Sequence, residues 1–188
     1  QPTQVAISKA GITGGEELPG ATLRVMDGDT IIEEWVSGTT PYQINAKLIA
    51  GKTYNLVEET APDGYIVAEA ISFTVNEDGT PQTVTMQDDW TKVTISKLGI
   101  TGGEELPGAT LRVMDGDTII EEWVSGTTPH QINAKLIAGK TYTLVEETAP
   151  DGYIVAESIS FTVNEDGTPQ TVTMQDDWTK VTISKLGI

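Results

Sequence analysis

The chain has 188 residues, of which 38% are hydrophobic, and carries a formal net charge of −17 from 28 acidic and 11 basic residues. This acidity argues against nucleic acid and against an anionic membrane as partners, because both bind basic surfaces. The sequence has no cysteine, which excludes disulfides and thiolate zinc sites. It has no apolar run as long as a membrane helix, no signal sequence and no lipidation motif, so we expect the chain as given to be soluble.

An internal repeat dominates the sequence. Lys9 recurs as Lys97, a shift of 97 − 9 = 88 residues that holds along the whole copy. A unit of this length is a complete small domain rather than a solenoid repeat. The connection around Trp90 contains no glycine, proline or serine, which predicts a stiff junction. We therefore predict a first domain over residues 1–90, a second over 91–178, and the first strand of a truncated third repeat over 179–188.

Each copy is predicted to consist of short strands separated by turns, because its apolar residues alternate instead of recurring every three or four positions. Asp27-Gly28-Asp29 predicts a hairpin turn, since Asp and Gly tolerate the positive φ that such turns need. In chain order, the strands predicted for the first copy are Val5 to Ala10, Ala21 to Met26, Thr30 to Val36, Pro41 to Ala46, Thr53 to Glu59, Ile71 to Val75 and Gln82 to Asp88. About seven short strands per domain predict an all-β fold, a β-sandwich with Greek-key connections.

On three of these strands, the last side chain predicted to point into the core is charged. Side chains alternate between the two faces of a strand, so the apolar residues identify the face that points into the core. By this criterion Lys9 on the first strand, Glu58 on the fifth and Asp88 on the last are predicted to face inward. The second copy repeats the pattern with Lys97, Glu146 and Asp176.

Residues on the opposite phase are predicted to face solvent. Glu59 is one of them, and the same criterion selects Asp88 over the adjacent Asp89 as the buried carboxylate. The positions on these strands that differ between the copies are also predicted to face solvent: Ala6/Thr94, Ala10/Leu98 and Asn55/Thr143.

A lysine buried with two carboxylates indicates a reaction rather than an ordinary ion pair. Even a paired set of buried charges can contribute less stability than apolar residues would. Burial favours the neutral amine and the neutral acid, which are the forms needed for attack of nitrogen on a carboxyl carbon. We predict that Lys9 is the nucleophile, Asp88 the electrophile, and Glu58 the general acid and base that transfers the proton as water leaves. The product is an amide between the first and last strands.

Four motifs in order carry a resemblance to a known family: Ile7-Ser8-Lys9, Glu17-Leu18-Pro19-Gly20-Ala21, Leu56-Val57-Glu58 with Ala61-Pro62-Asp63-Gly64-Tyr65, and Val84-Thr85-Met86-Gln87-Asp88. Over both copies, the chain resembles the Cna protein B-type (CnaB or SpaA-like) repeat domains of surface adhesins and pilins of Gram-positive bacteria. The resemblance implies a prealbumin-like, inverse immunoglobulin-like sandwich with an intramolecular isopeptide bond from Lys to Asn or Asp. It assigns the cross-links to Lys9 and Asp88 and to Lys97 and Asp176, with Glu58 and Glu146 as promoters. Many members have asparagine where this chain has Asp88.

The leading functional hypothesis is a structural stalk repeat of a bacterial cell-surface adhesin. The Lys–Asp amide would supply the covalent link that a chain without cysteine cannot obtain from disulfides. We expect an extracellular, cell-wall-anchored protein whose anchor lies outside this stretch. The expected partners are the neighbouring repeats of the same chain and, through a distal domain, a host extracellular protein. We expect a monomer without cofactor or metal.

Two other functions remain open from the sequence. The repeats could bind a host matrix protein or glycan through exposed loops and gain affinity by multivalency. Tyr42 and His130, which occupy the same position in the two copies, are the place to look. An enzyme ranks lower, because the only reactive group of residues would be consumed in a single turnover. Lys185, on the strand of the third copy, is predicted to stay unlinked.

Overall fold

The computed structural model describes residues 3–187 and contains fourteen strands. It divides into two compact units, Gln1–Thr91 and Lys92–Ile188. Each unit contains seven strands, which follow one another in the same order in both. Within the described residues, the structure has no helix that could cross a membrane.

The strands of the two units correspond one to one. Those of the first unit are β1 (Val5–Gly11), β2 (Thr22–Asp27), β3 (Thr30–Val36), β4 (Tyr42–Gln43), β5 (Thr53–Thr60), β6 (Ile71–Thr74) and β7 (Gln82–Asp88). Those of the second are β8 (Val93–Gly99), β9 (Thr110–Asp115), β10 (Thr118–Val124), β11 (His130–Gln131), β12 (Thr141–Thr148), β13 (Ile159–Thr162) and β14 (Gln170–Asp176). All seven predicted strands of the first copy are present.

Each unit is a sandwich of two sheets, which confirms the predicted all-β fold. In the first unit, one sheet has the strand order β4-β1-β7 and the other the order β3-β2-β5-β6. β1 pairs antiparallel with β4 and parallel with β7, from Val5 opposite Gln82 to Gly11 opposite Asp88. The second unit repeats this arrangement with β11-β8-β14 and β10-β9-β12-β13. The first and last strands of each repeat are therefore direct neighbours.

The core of each sandwich lies between the inner faces of its two sheets. In the first unit Leu23, Val25 and Leu56 are fully buried, and Ile7 and Met86 pack against them from the other sheet. Burial of one such side chain contributes about 1.5–3 kcal/mol. Buried and more exposed residues alternate along β5 and β7. The period-two pattern of the sequence thus determines which side chains enter the core.

The turn between β2 and β3 has the predicted chemistry. Gly28 adopts a φ of 57°, in the left-handed region that favours glycine. Lys52 donates a hydrogen bond of 2.5 Å to the carboxylate of Asp27, which flanks the turn. Glycine adopts this conformation at no steric cost, which favours the turn.

The fourth strand is shorter than predicted. Only Tyr42 and Gln43 form β4. The N–H of Ile44 still donates to the carbonyl of Val5 at 2.9 Å, but the next two amides have another partner. The Glu33 carboxylate accepts hydrogen bonds of 3.0–3.1 Å from the backbone N–H groups of Asn45 and Ala46. Amides that bond to a side chain cannot continue the ladder to a neighbouring strand.

The outer face of β1 is more buried than predicted. Ala6 and Ala10 were expected to face solvent, yet they are only 8% and 7% exposed. β1 is the middle strand of its sheet, where Ala6 lies opposite Gln43 of β4 and Thr83 of β7. These longer neighbouring side chains cover a short alanine side chain. The prediction was wrong here because it considered the phase of one strand without the strands beside it, whereas Asn55 on β5 is exposed as predicted.

Residues 179–187 form no strand in the structure. Val181 and Ile183 are 84% and 89% exposed, although the same sequence forms strand β8 earlier in the chain. Lys185 lies in this segment and is also exposed.

Candidate functional site

The three charged residues selected by strand phase lie together in the core of the first repeat. Lys9 is on β1, Glu58 on β5 and Asp88 at the end of β7, so the group joins the two sheets. Their exposed fractions are 1%, 4% and 0%. Lys9 therefore does not extend into solvent, as a lysine near a strand end often does.

Lys9 contacts both carboxyl groups. Its Nζ donates a hydrogen bond to Oδ1 of Asp88 and lies 3.3 Å from Oε1 of Glu58. The other oxygen of Glu58, Oε2, accepts a hydrogen bond of 2.7 Å from the backbone N–H of Ala68. Ala68 belongs to the connection between β5 and β6, so the chain that leaves β5 also orients the Glu58 side chain.

The second repeat contains the same arrangement. Lys97 Nζ donates to Oδ1 of Asp176 and lies 3.4 Å from Oε1 of Glu146. The backbone N–H of Ala156 donates a hydrogen bond of 2.7 Å to Oε2 of Glu146. Each repeat therefore has a complete site that is built from its own strands.

Burial is the main cause that raises the pKa of Glu58 to about 7, and the charge of Asp88 and a hydrogen bond to it act in the same direction. The N–H of Ala68 and the ammonium group of Lys9 oppose this rise. Burial likewise raises the pKa of Glu146. Near neutral pH Glu58 is therefore protonated in a large fraction of folded molecules, whereas an exposed glutamate is ionised.

One oxygen of each carboxyl group at the first site lacks a hydrogen-bond donor. Oε1 of Glu58 and Oδ2 of Asp88 are buried and accept no hydrogen bond from any residue within 3–187. Buried oxygens normally have such a partner. A proton on Glu58 that is donated to Asp88 satisfies both groups, which agrees with the raised pKa of Glu58. The equivalent oxygens of Glu146 and Asp176 are in the same position.

A second glutamate, which the sequence did not single out for any role, fixes the backbone that carries the lysine. Oε2 of Glu17 accepts a hydrogen bond of 2.8 Å from the backbone N–H of Lys9, and Oε1 accepts one of 2.5 Å from Oγ of Ser8. The backbone N–H of Leu18 donates to the carbonyl of Lys9 at 2.7 Å. Glu105 makes the same two side-chain bonds in the second repeat. Glu17 belongs to the Glu-Leu-Pro-Gly motif, which carries part of the family resemblance.

The neighbouring carboxylates lie outside the site. Glu59 is exposed and pairs with Nη1 of Arg24 at 2.5 Å. Asp89 accepts a hydrogen bond of 2.8 Å from the backbone N–H of Trp90. The structure thus places Asp88, and not Asp89, against Lys9, as the strand phase predicted.

Tyr42 and His130 lie in the two-residue strands β4 and β11 and not on loops, in contrast to the binding hypothesis that named them. Tyr42 stacks on Trp35 with ring centres 4.6 Å apart, and His130 stacks on Trp123 at 4.4 Å. Nε2 of His130 also lies 2.7 Å from the carboxylate of Glu121. Both rings pack within their own domain. Less of each ring is therefore available to bind a ligand than if it lay on a loop.

Residues 3–90 and 91–178 each match the model of the SpaA prealbumin-like fold domain. The chain belongs to this family. The resemblance drawn from the four sequence motifs is thereby confirmed, and each matched SpaA domain contains one complete Lys-Glu-Asp site.

Solved structures share the fold of this pair of SpaA domains. The Bacillus anthracis TIE protein matches 94% of the chain at 22% identity with a TM-score of 0.60, and the chain spans 34% of that protein. The C-terminal fragment of the pilus adhesin SpaC from Lactobacillus rhamnosus GG matches 98% of the chain and is itself covered completely (100%), at 16% identity and a TM-score of 0.54. At these identities the likeness concerns the fold alone. No curated protein sequence matches the chain.

Proposed function

We propose that the chain consists of structural stalk repeats of a bacterial surface adhesin, each locked by an amide bond that it forms itself. The bonds join Lys9 to Asp88 and Lys97 to Asp176. The observation that carries this proposal is the burial and mutual contact of one lysine and two carboxyl groups in each repeat. One structural neighbour is a pilus adhesin, which supports a place outside the cell, attached to the cell wall.

The contacts of Lys9 support a direct condensation. Transfer of a proton from the Lys9 ammonium group to the Asp88 carboxylate gives a neutral amine and a neutral acid, the pair that a dry core favours. The amine nitrogen then attacks Cγ of Asp88. A C–N bond forms, a C–O bond breaks, and one water molecule leaves. Because the reacting atoms are held in contact, positioning supplies much of the rate.

Glu58 is suited to carry the protons of this reaction. With a pKa of about 7 it can donate a proton to the departing hydroxyl group of Asp88 and accept one from the lysine nitrogen. The N–H of Ala68 holds one carboxyl oxygen, so the other remains directed at Lys9. Glu146 has the same role in the second repeat, oriented by Ala156. The reaction consumes its own groups, so the protein does not turn over a substrate.

The sheet topology supports a load-bearing role for the bond. β1 is the first strand of the first repeat and β7 the last, and the two strands pair in parallel, as β8 and β14 do in the second repeat. Tension applied to the ends of the repeat therefore acts on β1 and β7 in opposite directions. An amide between Lys9 and Asp88 passes that load from one strand to the other through covalent bonds, and the rest of the sandwich carries none of it.

The intact mass of the purified, denatured chain tests the proposal. We expect a mass two waters below the value calculated from the sequence. Replacement of Glu58 by Ala should restore one water, replacement of Glu146 by Ala should restore the other, and the double variant should have the calculated mass. Glu59→Ala is the matched control: Glu59 is adjacent but exposed, so its loss should leave both bonds intact. A wild-type mass equal to the calculated value would overturn the proposal.

A further inference from the structure

Each repeat has an apolar groove on the side of the sandwich where the edge strands of its two sheets lie open. The first groove has a volume of about 420 Å³ and is lined mainly by Ile12, Val67, Ile71 and Met86. The second has a volume of about 350 Å³ and is lined by the equivalent residues 88 positions later. The strands that border it, β6 and β7, are the last strands of their sheets.

Apolar side chains that line the groove are about half exposed. Ile12 and Val67 are 53% and 50% exposed, and their equivalents Ile100 and Val155 are 52% and 50% exposed. Single exposed apolar residues are ordinary, but a cluster that forms a groove is typical of a surface that binds another protein.

The backbone beside the groove has hydrogen-bonding groups available. The backbone N–H of Gln82 donates to the carbonyl of Gln4, just before β1, and the carbonyl of Asp88 accepts from the N–H of Ile12, just after β1, so both residues point toward that strand. Since residues of a parallel strand alternate in the side to which both backbone groups point, those of Thr85 and Gln87 point away from β1. No strand pairs with β7 on that side in the described part of the chain. The backbone N–H of Ile66 donates to the carbonyl of Asp89 there at 2.9 Å, so the open edge ends at Gln87. Thr85 and Gln87 also line the groove, so the open edge and the apolar surface are continuous.

The charged side chains that line the groove are carboxylates. Glu69 and Asp89 belong to its lining, and no lysine, arginine or histidine does so among the described residues. The equivalent groove of the second repeat has Glu157 and Asp177 in these positions. Asp177 already pairs with Nζ of Lys180 at 2.8 Å, so Glu157 is the carboxylate that a ligand would meet. In a chain with a net charge of −17, this surface favours a basic ligand.

We propose that the groove binds an extended segment of a separate protein in which apolar and basic side chains alternate, and that the segment adds to β7 or β14 as a further strand. The backbone of the segment would bond to Thr85 and Gln87, its apolar side chains would fill the groove, and its basic side chains would lie near Glu69. The two grooves of one chain would allow a partner with two such segments to bind with increased avidity.

A synthetic peptide of alternating valine and lysine is the probe, added to the intact 188-residue chain. Hydrogen exchange followed by NMR should reveal slowed exchange at the amides of Thr85, Gln87, Thr173 and Gln175, because these amides become hydrogen-bonded in an added strand. A peptide of alternating valine and glutamate should bind at least about tenfold more weakly at low salt, and the difference should shrink as salt screens the charges. Equal binding of both peptides, or no change at these amides, would overturn the proposal.

Matched surface variants separate groove binding from general attraction to an acidic protein. Val67→Asp with Val155→Asp should reduce binding of the valine-lysine peptide. The control is Val36→Asp with Val124→Asp, which should not reduce it. Val36 and Val124 are also exposed (64% and 65%), but they do not line the groove. Glu69→Lys with Glu157→Lys should weaken binding about tenfold, and Asp29→Lys with Asp117→Lys, in the hairpin turns, should have little effect. If all four pairs of variants weaken binding alike, the groove is not the site.

Sedimentation of the free chain over a range of concentrations shows whether the groove binds a separate protein or a second copy of this chain. We expect a monomer at all concentrations. Self-association that disappears in the Val67→Asp and Val155→Asp variant would mean that a second copy of this chain occupies the groove, and it would overturn the assignment to a separate protein. The test of groove binding does not depend on whether the proposed amide bonds form, because none of the groove variants changes a residue of the Lys-Glu-Asp sites.

Discussion

Oε1 of Glu58 lies 3.3 Å from Nζ of Lys9 in a core where neither side chain is more than 4% exposed. The same burial that brings them together raises the pKa of Glu58 to about 7. The contact is therefore an ion pair in some molecules and, in others, a contact between the lysine and a neutral acid. Because the proposed reaction needs the acid, the proton on Glu58 decides which molecules react.

Bond formation in the first repeat should slow as the pH rises through neutrality. The raised pKa means that the proton is present on Glu58 below pH 7 and is lost above it. The rate should then fall about tenfold for each further pH unit, as expected when one protonated group is essential. A chain assembled from synthetic peptides in guanidinium chloride starts unreacted, and refolding it at pH values from 6 to 9, about the range that spans this titration, allows the loss of water to be followed by mass.

Glu58→Gln is the control for this pH dependence. It is close in size and can hydrogen-bond to Asp88, but it has no carboxyl proton to transfer. We expect the variant to fold and to form no bond in the first repeat at any pH, while the second repeat reacts normally. A rate that stays constant or increases up to pH 9 would show that Glu58 does not act as an acid.

Loss of Glu17 should slow the reaction of Lys9 without abolishing the fold. Its carboxylate accepts hydrogen bonds from the backbone of Lys9 and from Ser8, so it acts by positioning the nucleophile and not by touching the reacting atoms. A misplaced reacting group can lose a factor of about 100 in rate. We expect Glu17→Ala to delay the loss of one water by about 10- to 100-fold after refolding.

Two comparisons identify this effect as positioning. Glu16→Ala removes the adjacent exposed carboxylate, which is not bonded to Lys9, and should react at the wild-type rate. The pH at which the rate of Glu17→Ala falls should stay where it is in the wild type, because Glu58 is unchanged. A shift of that pH would indicate that Glu17 acts on the proton of Glu58 instead.

The proposed amide bond should contribute a large part of the free energy of unfolding of each repeat. A bond from Lys9 to Asp88 closes a ring that spans 79 residues. In the loop-entropy model used for disulfides, a ring of this size stabilises the folded state by about 4–5 kcal/mol. We expect guanidinium unfolding of Glu58→Ala to show a first repeat destabilised by at least this amount, while the second repeat unfolds as in the wild type.

A variant without the buried charges separates the stability due to the amide bond from the stability due to the ion pair between Lys9 and Asp88. Lys9→Met with Asp88→Leu removes the bond and replaces the charged pair by apolar side chains, which are often equally stabilising in a core. This variant should lose only the contribution of the ring and should be more stable than Lys9→Met alone, which leaves Asp88 buried without its partner. If it unfolds at the wild-type denaturant concentration, the wild-type repeat is not locked.

Strand phase predicted much of the site because burial on β5 and β7 depends on a simple alternation. Glu58 and Asp88 follow two apolar residues on the same face, and the structure buries both. Phase failed on the outer face of β1, where Ala6 is covered by side chains from two neighbouring strands. The order of strands in a sheet is a long-range property, and no local pattern contains it.

The groups that orient the site could not be predicted from any periodic pattern. Glu17 lies in a loop and bonds to a backbone N–H, which every residue except proline offers. Ala68 acts through its own backbone N–H, so its side chain gives no signal. The groove lined by Val67 arises where two sheet edges meet, and such a surface appears only once both sheets are placed.

A single-molecule pulling experiment should distinguish locked from unlocked repeats by length. Without the bond, the residues between Lys9 and Asp88 can extend fully, which for a span of 79 residues gives about 260–280 Å of chain. With the bond, force passes from β1 to β7 through the amide and this length stays hidden. Pulled from its two ends, the wild-type chain should therefore show no extension step of this size.

The glutamate variants give a graded control for the pulling experiment. Glu58→Ala should add one step of this length, and Glu58→Ala with Glu146→Ala should add two, because each proposed bond joins strands of its own repeat only. Glu59→Ala should behave as the wild type, since Glu59 pairs with Arg24 at the surface. Two full-length steps in the wild-type chain would mean that β1 and β7 are held together by hydrogen bonds and packing alone. A stalk built from such repeats would lengthen under load instead of keeping its extension fixed.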